Sequence, residues 1–239
     1  MASETPTLIS PRPIAPENEP LLGRSGDVTQ TSSEKIARNL ITGSAGVAQV
    51  AIWILAALVW SRVLMQPPIL FTAHPLLAIS ALLLQVQAAL ILQPTTSPEQ
   101  KLLGTRIHYI IQLVSIIGFL SAFVVIEVNK GSHAHFTSPH GILGLITVIF
   151  IVLQSLVGVV QYFLPVTILG SVDAGKTIYK YHRWSGYALL LLESVVVVAA
   201  TQTSFNKATI HIPTWPVVIA LIIVLAGVGA RIKKHKLGL

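Results

Sequence analysis

A helix needs about 20 mostly apolar residues to cross the hydrocarbon core of a bilayer, roughly 30 Å thick. This chain carries six such stretches, at 41–64, 69–92, 102–128, 140–164, 182–201 and 212–231. The segments between them have loop chemistry: QPP at 66–68, QPTTSPEQK at 93–101, NKGSHAHFTSP at 129–139, SVDAGK at 171–176 and QTSFNK at 202–207. Lipid cannot hydrogen-bond a backbone, so the spans must be helices. A β-barrel would show alternating segments of about ten residues, and none occurs. The fold class expected is an all-α membrane protein with six transmembrane helices.

Composition excludes the other classes. Only 10% of the 239 residues are charged and 53% are hydrophobic, against about 25% charged in soluble domains. Mean hydropathy is +0.73 and the pI about 9.9. The net charge of +7 suggests nucleic acid until the charges are placed. With the N-terminus cytosolic, thirteen of the 16 Lys and Arg fall on the cytosolic side. Only Arg62, Lys130 and Lys207 fall on the other. That asymmetry is a topology signal. It puts both termini in the cytosol and leaves no nucleic-acid partner. Cysteine is absent, which excludes disulfides, thiolate catalysis, Cys-ligated iron–sulfur clusters and c-type haem attachment. Residues 1–38 are rich in Pro, Ser, Thr and Glu and read as a disordered cytosolic tail. They show no signal peptide. Residues 39–232 form the membrane domain, with its core at 66–203, and 233–239 a basic cytosolic tail.

Four of the eight histidines stand near the starts of successive spans: His74, His108, His140 and His182. One helix plus one loop separates each from the next. Neighbouring spans run antiparallel. His74 and His140 therefore lie toward the non-cytosolic face, and His108 and His182 toward the cytosolic one. Two imidazoles from two helices at one depth are what a bis-His haem needs. Small residues one turn deeper, Ala78, Gly144 and Gly186, would leave room for a porphyrin edge. For His108 the nearby small residue is Gly104. Two His per face without Cys is a poor zinc set. No span carries two His about four turns apart, which excludes the respiratory cytochrome b arrangement.

The segments FTAHPLLAI, TRIHYIIQL, SPHGILGL and KYHRWSGYALL resemble the cytochrome b561 family over about residues 40–231, and HFTSPHGILGL resembles its stand-alone, domain-containing branch. The resemblance implies that spans two to five form a four-helix bundle around two haem b groups. His74 and His140 would ligate one, and His108 and His182 the other. It implies an ascorbate-dependent transmembrane oxidoreductase, passing electrons from cytosolic ascorbate to monodehydroascorbate or a ferric chelate. It also implies homodimers, for which no interface motif is visible.

Ascorbate is an anion, so its site should be basic. Lys101, Arg106, Lys176, Lys180 and Arg183 flank His108 and His182, with Lys101 and Lys180 the preferred pair. The same residues also serve positive-inside topology. Glu127, Lys130 and His135 crowd the loop before His140 and mark the acceptor side, while His133 reads as solvated. Glu193 lies about three turns beyond His182, and Gln85 stands at the same offset from His74. A hydrogen bond between these two spans is the simpler reading, and a part in proton-coupled transfer the sharper one. An acidic dileucine pattern at 17–22 is the address of a vacuolar, lysosomal or endosomal membrane. The competing class is a non-enzymatic transporter or scaffold with structural histidines. Transporters often show broken helices near the midplane, and these spans lack paired Gly/Pro interruptions.

Overall fold

The computed structural model describes residues 27–237. The pattern at 17–22 lies outside them. All regular structure among the described residues is helical. Five helices are long and apolar enough to span a bilayer: α1 (Ala45–Leu64), α2 (Leu70–Leu92), α3 (Pro98–Lys130), α4 (Pro139–Phe163) and α6 (Val172–Thr201). A five-residue turn, α5 (Pro165–Leu169), joins α4 to α6. The last apolar helix, α7 (Thr214–Gly229), has 16 residues. These are the six expected spans, with altered ends.

Local capping sets those ends. Ser97 accepts from the Gln100 amide, Gln100 bonds back, and Pro98 opens α3. Ser138 caps α4 by accepting from the Gly141 amide, with Pro139 first. Ser171 accepts from the Ala174 amide at 3.0 Å, so α6 begins well before His182. Polar residues 172–181 hid this extension from hydropathy. Before α7 the chain turns tightly. Asn206 Nδ2 donates to the carbonyls of Thr201 and Ile212, and its Oδ1 accepts from the Ile212 amide. His211 takes the left-handed conformation, φ 56°, and Pro213 caps the helix. This turn shortens the last span.

Packing divides the helices into pairs. α2 lies along α3, and α4 along α6, while α1 covers α2 and α7. Lipid does not drive apolar faces together, so membrane helices pack through small residues and polar contacts. A Cβ on Gly227 of α7 would stand 2.8 Å from Ala48 Cβ and 2.9 Å from the Ser44 carbonyl beside α1. Gly118 of α3 faces Ala81 of α2, and the Ser115 hydroxyl donates to the Ala81 carbonyl at 2.8 Å. The closed apolar core lies among α1, α2 and α7, around Ile52, Leu55, Leu82, Val86, Val217 and Val224. By contrast α3 and α4 bury few side chains.

Both described ends meet on one face. Asp27 lies 3.8 Å from His235, and Arg231 Nη2 donates to the Asn39 carbonyl at 2.9 Å. The tail expected over 1–38 is packed from its described part onward. The Gln30 amide donates to the Pro94 carbonyl, and Asn39 Nδ2 donates to Gln30 Oε1 and to the Ile91 carbonyl. Residues 234–237 form a turn against α6.

Candidate functional site

His74 of α2 and His140 of α4 come together, with ring centroids 6.0 Å apart and planes at 78°. That spacing leaves room between the two imidazoles for one metal ion, which both residues would hold. The Nδ1–H of His74 donates to the Ala122 carbonyl at 2.9 Å. His140 Nδ1–H donates to the Val196 carbonyl at 3.1 Å, and His108 Nδ1–H to the Ala88 carbonyl at 2.9 Å. A carbonyl can only accept, so each Nδ1 carries the proton and each Nε2 keeps its lone pair. This is how a second partner prepares an imidazole to bind a metal. The donor set therefore fits a bis-His haem.

These bonds also measure depth. His74 is level with Ala122, on the helix that carries His108. His108 is level with Ala88, on the helix that carries His74. His140 is level with Val196, on the helix that carries His182. The interval along the helix is the same in all three, from His108 to Ala122, from His74 to Ala88 and from His182 to Val196. It amounts to about four turns, which sets the two histidine levels about 21 Å apart. His182 lies within electrostatic reach of His108.

His182 breaks the pattern. Its Nδ1 is buried with no hydrogen-bond partner among the described residues. The residue at the same interval beyond His140 is Gln154, whose Nε2 instead donates to the His182 carbonyl at 2.7 Å. Its Oε1 accepts from Ser185. The His182 ring lies over Gly158, where a Cβ would come within 3.2 Å of Cε1. Gly158 was not singled out by spacing, because it stands on the neighbouring helix. Of the expected small residues, Gly144 faces open space, Gly186 faces Gln154, and Gly104 packs on Thr95 and Leu92. Gly104 thus serves helix contact and not a ring edge.

On the face holding both ends, Lys176, Lys180 and Arg183 line one cavity of about 290 Å³, with Tyr179, His235 and Lys236. Arg183 Nη1 donates to the Lys236 carbonyl and its guanidinium lies over Tyr179. Lys101 and Arg106 are exposed on α3 and do not line this cavity. The expected pair of Lys101 and Lys180 is therefore not joined in it, and the carboxy-terminal segment takes the place assigned to the α3 residues. No spacing signal could have supplied His235 and Lys236, which come from a segment that folds back.

At the opposite face Glu127 of α3 pairs with His135 Nδ1, and His135 Nε2 donates to the Gly131 carbonyl at 3.0 Å. Lys130 Nζ lies over the Phe136 ring and within electrostatic reach of His74 and His140. His133 is exposed and bonds only the local Lys130 carbonyl. Both ring nitrogens of His135 meet acceptors, first the Gly131 carbonyl and then Glu127. Its pKa is raised above the ordinary histidine value. The protonated, doubly bonded loop is thus fully present below that ordinary value. It is lost as pH rises through the elevated one. Glu127→Gln should move the His135 titration to lower pH, read by NMR of isotope-labelled histidine. An unmoved titration would show that Glu127 does not hold the proton there.

Between the two levels, Gln85 Nε2 donates to both oxygens of Glu193, at 2.9 and 2.8 Å. The hydrogen bond expected between these spans is present.

Residues 73–209, more than half of the chain, match the family model of eukaryotic cytochrome b561. No curated protein matches the chain.

Proposed function

The chain belongs to the cytochrome b561 family, and on that premise we propose that it carries electrons from ascorbate on its basic face to an acceptor on the other, through two haem b groups. The family makes it a multi-pass haem protein of transmembrane electron transfer. The observation that carries the finer reading is the pairing of His74 with His140, each with Nε2 left for iron, and a second histidine level about 21 Å away. His74 and His140 would hold one haem, and His108 and His182 the other. Haem supplies a one-electron couple when bound at each level.

The chain's own residues do the rest. Lys176, Lys180 and Arg183 give the cavity a positive field that draws an ascorbate anion toward His182. Tyr179 supplies a hydroxyl and a ring face in the same cavity. At the far side His135, whose protonated form Gly131 and Glu127 favour, can pass a proton to a reduced organic acceptor. Monodehydroascorbate fits that chemistry, and a ferric chelate would use the same anion-attracting Lys130. The Lys and Arg bias supports a cytosolic orientation of the basic face.

The test is an absorbance spectrum of the purified protein before and after ascorbate, with a haem-to-protein ratio. Two b haems per chain, reduced by ascorbate, are expected. Two haems that stay oxidised would overturn the donor. A folded protein without haem would overturn the ligand assignment.

A further inference from the structure

Among the described residues, Glu193 is the one buried acidic or basic side chain in the layer between the histidine levels. It is 3% exposed. Its polar contact across the helix interface is Gln85, whose amide bonds both carboxylate oxygens. Counted along its own helix, Glu193 comes just under one turn before Val196, the partner of His140. Gln85 stands in the same relation to Ala88, the partner of His108. Each is about 4.5 Å of axial rise from one histidine level. The pair thus links the two.

The other elements offer Glu193 no countercharge. On α2 the one titratable residue is His74, eleven residues before Gln85. α4 carries His140 and Tyr162 at its two ends, and α7 carries none. On α3, His108 and Tyr109 belong to the basic-face level, and Glu127 and Lys130 lie past the opposite one. On α6 itself, the Tyr187 hydroxyl accepts from Gln93 near the basic face. A lone ionised carboxylate in such surroundings is costly. Haem, where these histidines hold it, would supply one unit of charge that comes and goes with the electron.

We propose that Glu193 is a redox-linked proton site, taking one proton when an electron arrives between the histidine levels and releasing it when the electron leaves. This rests on the two-haem reading above. On arrival, one electron comes from the donor and one proton from water, and a carboxyl O–H bond forms. On departure the electron passes to the acceptor, that bond breaks, and its proton returns to water. The pair keeps net charge in the dry layer constant. Gln85 suits both states. Its amide NH₂ serves the carboxylate. After a flip of the amide, its carbonyl accepts from the acid O–H while the NH₂ donates to the acid C=O.

The experiment is a spectroelectrochemical titration of the purified holoprotein across pH, in wild type, Glu193→Gln and Gln85→Leu. Haem content is measured on the same samples. The wild-type potentials should fall with rising pH through a window that Glu193→Gln lacks. Gln85→Leu removes the partner of the carboxylate, so its window should move to higher pH. Potentials of wild type and Glu193→Gln that track each other at every pH would overturn the proposal. If Glu193→Gln loses haem, Gln85→Leu decides, and an unmoved window overturns it. Fewer than two haems per wild-type chain overturns the two-haem reading and this inference with it. Two haems with superimposable pH curves overturns the inference alone.

Discussion

Replacing His140 with alanine should remove one haem of two and leave the other with an intact spectrum. His140 and His74 face each other 6.0 Å apart across their own level. The second level stands about 21 Å away, reached along α2, α3 and α6 by one and the same helical interval. A level that loses one imidazole would lose one of the two side chains proposed to hold its haem. The other level shares neither ligand. Its Ala88 and Gln154 contacts lie far along the helices. The measurement is pyridine haemochrome per mole of protein, with low-temperature α-band spectra to separate the two sites. His133→Ala is the control, because His133 is exposed and bonds only within its own turn. Retention of both haems in the His140 variant would refute the pairing. Loss of both would show that the levels fold as one unit.

A comparable loss of function is expected from reversing charge in the basic cavity. Lys176→Glu with Lys180→Glu replaces two of its cations. Both side chains are exposed at the start of α6, so the fold should stand and haem content should not change. Electrostatic steering by a cleft of one sign contributes about 10- to 1000-fold to association rates. Reduction by ascorbate, followed by stopped-flow absorbance, should slow by at least about tenfold at low ionic strength. The difference should shrink in salt, where screening cuts in within about 10 Å. Lys101→Glu should matter far less, since Lys101 lies outside the cavity. Equal slowing by both variants, or none by either, would move the donor site elsewhere.

Much of the site could be read before any fold was in hand. Depth in a membrane helix is linear in residue number, so antiparallel spans sort His74 with His140 and His108 with His182 by counting alone. Gln85 and Glu193 stand at equal offsets from His74 and His182, but on antiparallel spans equal offsets do not mean equal depth, so the hydrogen bond between them was decided by the fold. The carbonyls that orient the histidines were not legible. Ala122, Ala88 and Val196 act through their backbones, and side-chain identity says nothing of that. Gly158 stayed hidden for a related reason: its use depends on which way α4 is turned toward His182.

The basic cavity shows the limit most plainly. Its cations on α6 were legible as a cluster. Lys101 and Arg106, expected at the same site, do not line this cavity, where the chain returns at 234–237 and lays His235 and Lys236 beside α6. The early start of α6 was marked by Ser171 and Asp173, a cap and an acid in the first turn. Hydropathy passed over it, since a helix that leaves the bilayer need not stay apolar.

By itself, then, the sequence determined that this chain crosses a membrane as helices, and at which depths its histidines lie. Lipid leaves a backbone no other partner than its own helix, and helical rise converts sequence interval into depth. Tertiary structure alone decided how each helix is turned, which carbonyls meet the imidazoles, and which tail closes the basic cavity. Those choices depend on close packing of small residues such as Gly118 against Ala81 and Gly227 against Ala48. Such contacts join positions far apart in the chain and leave no periodic trace within any one span.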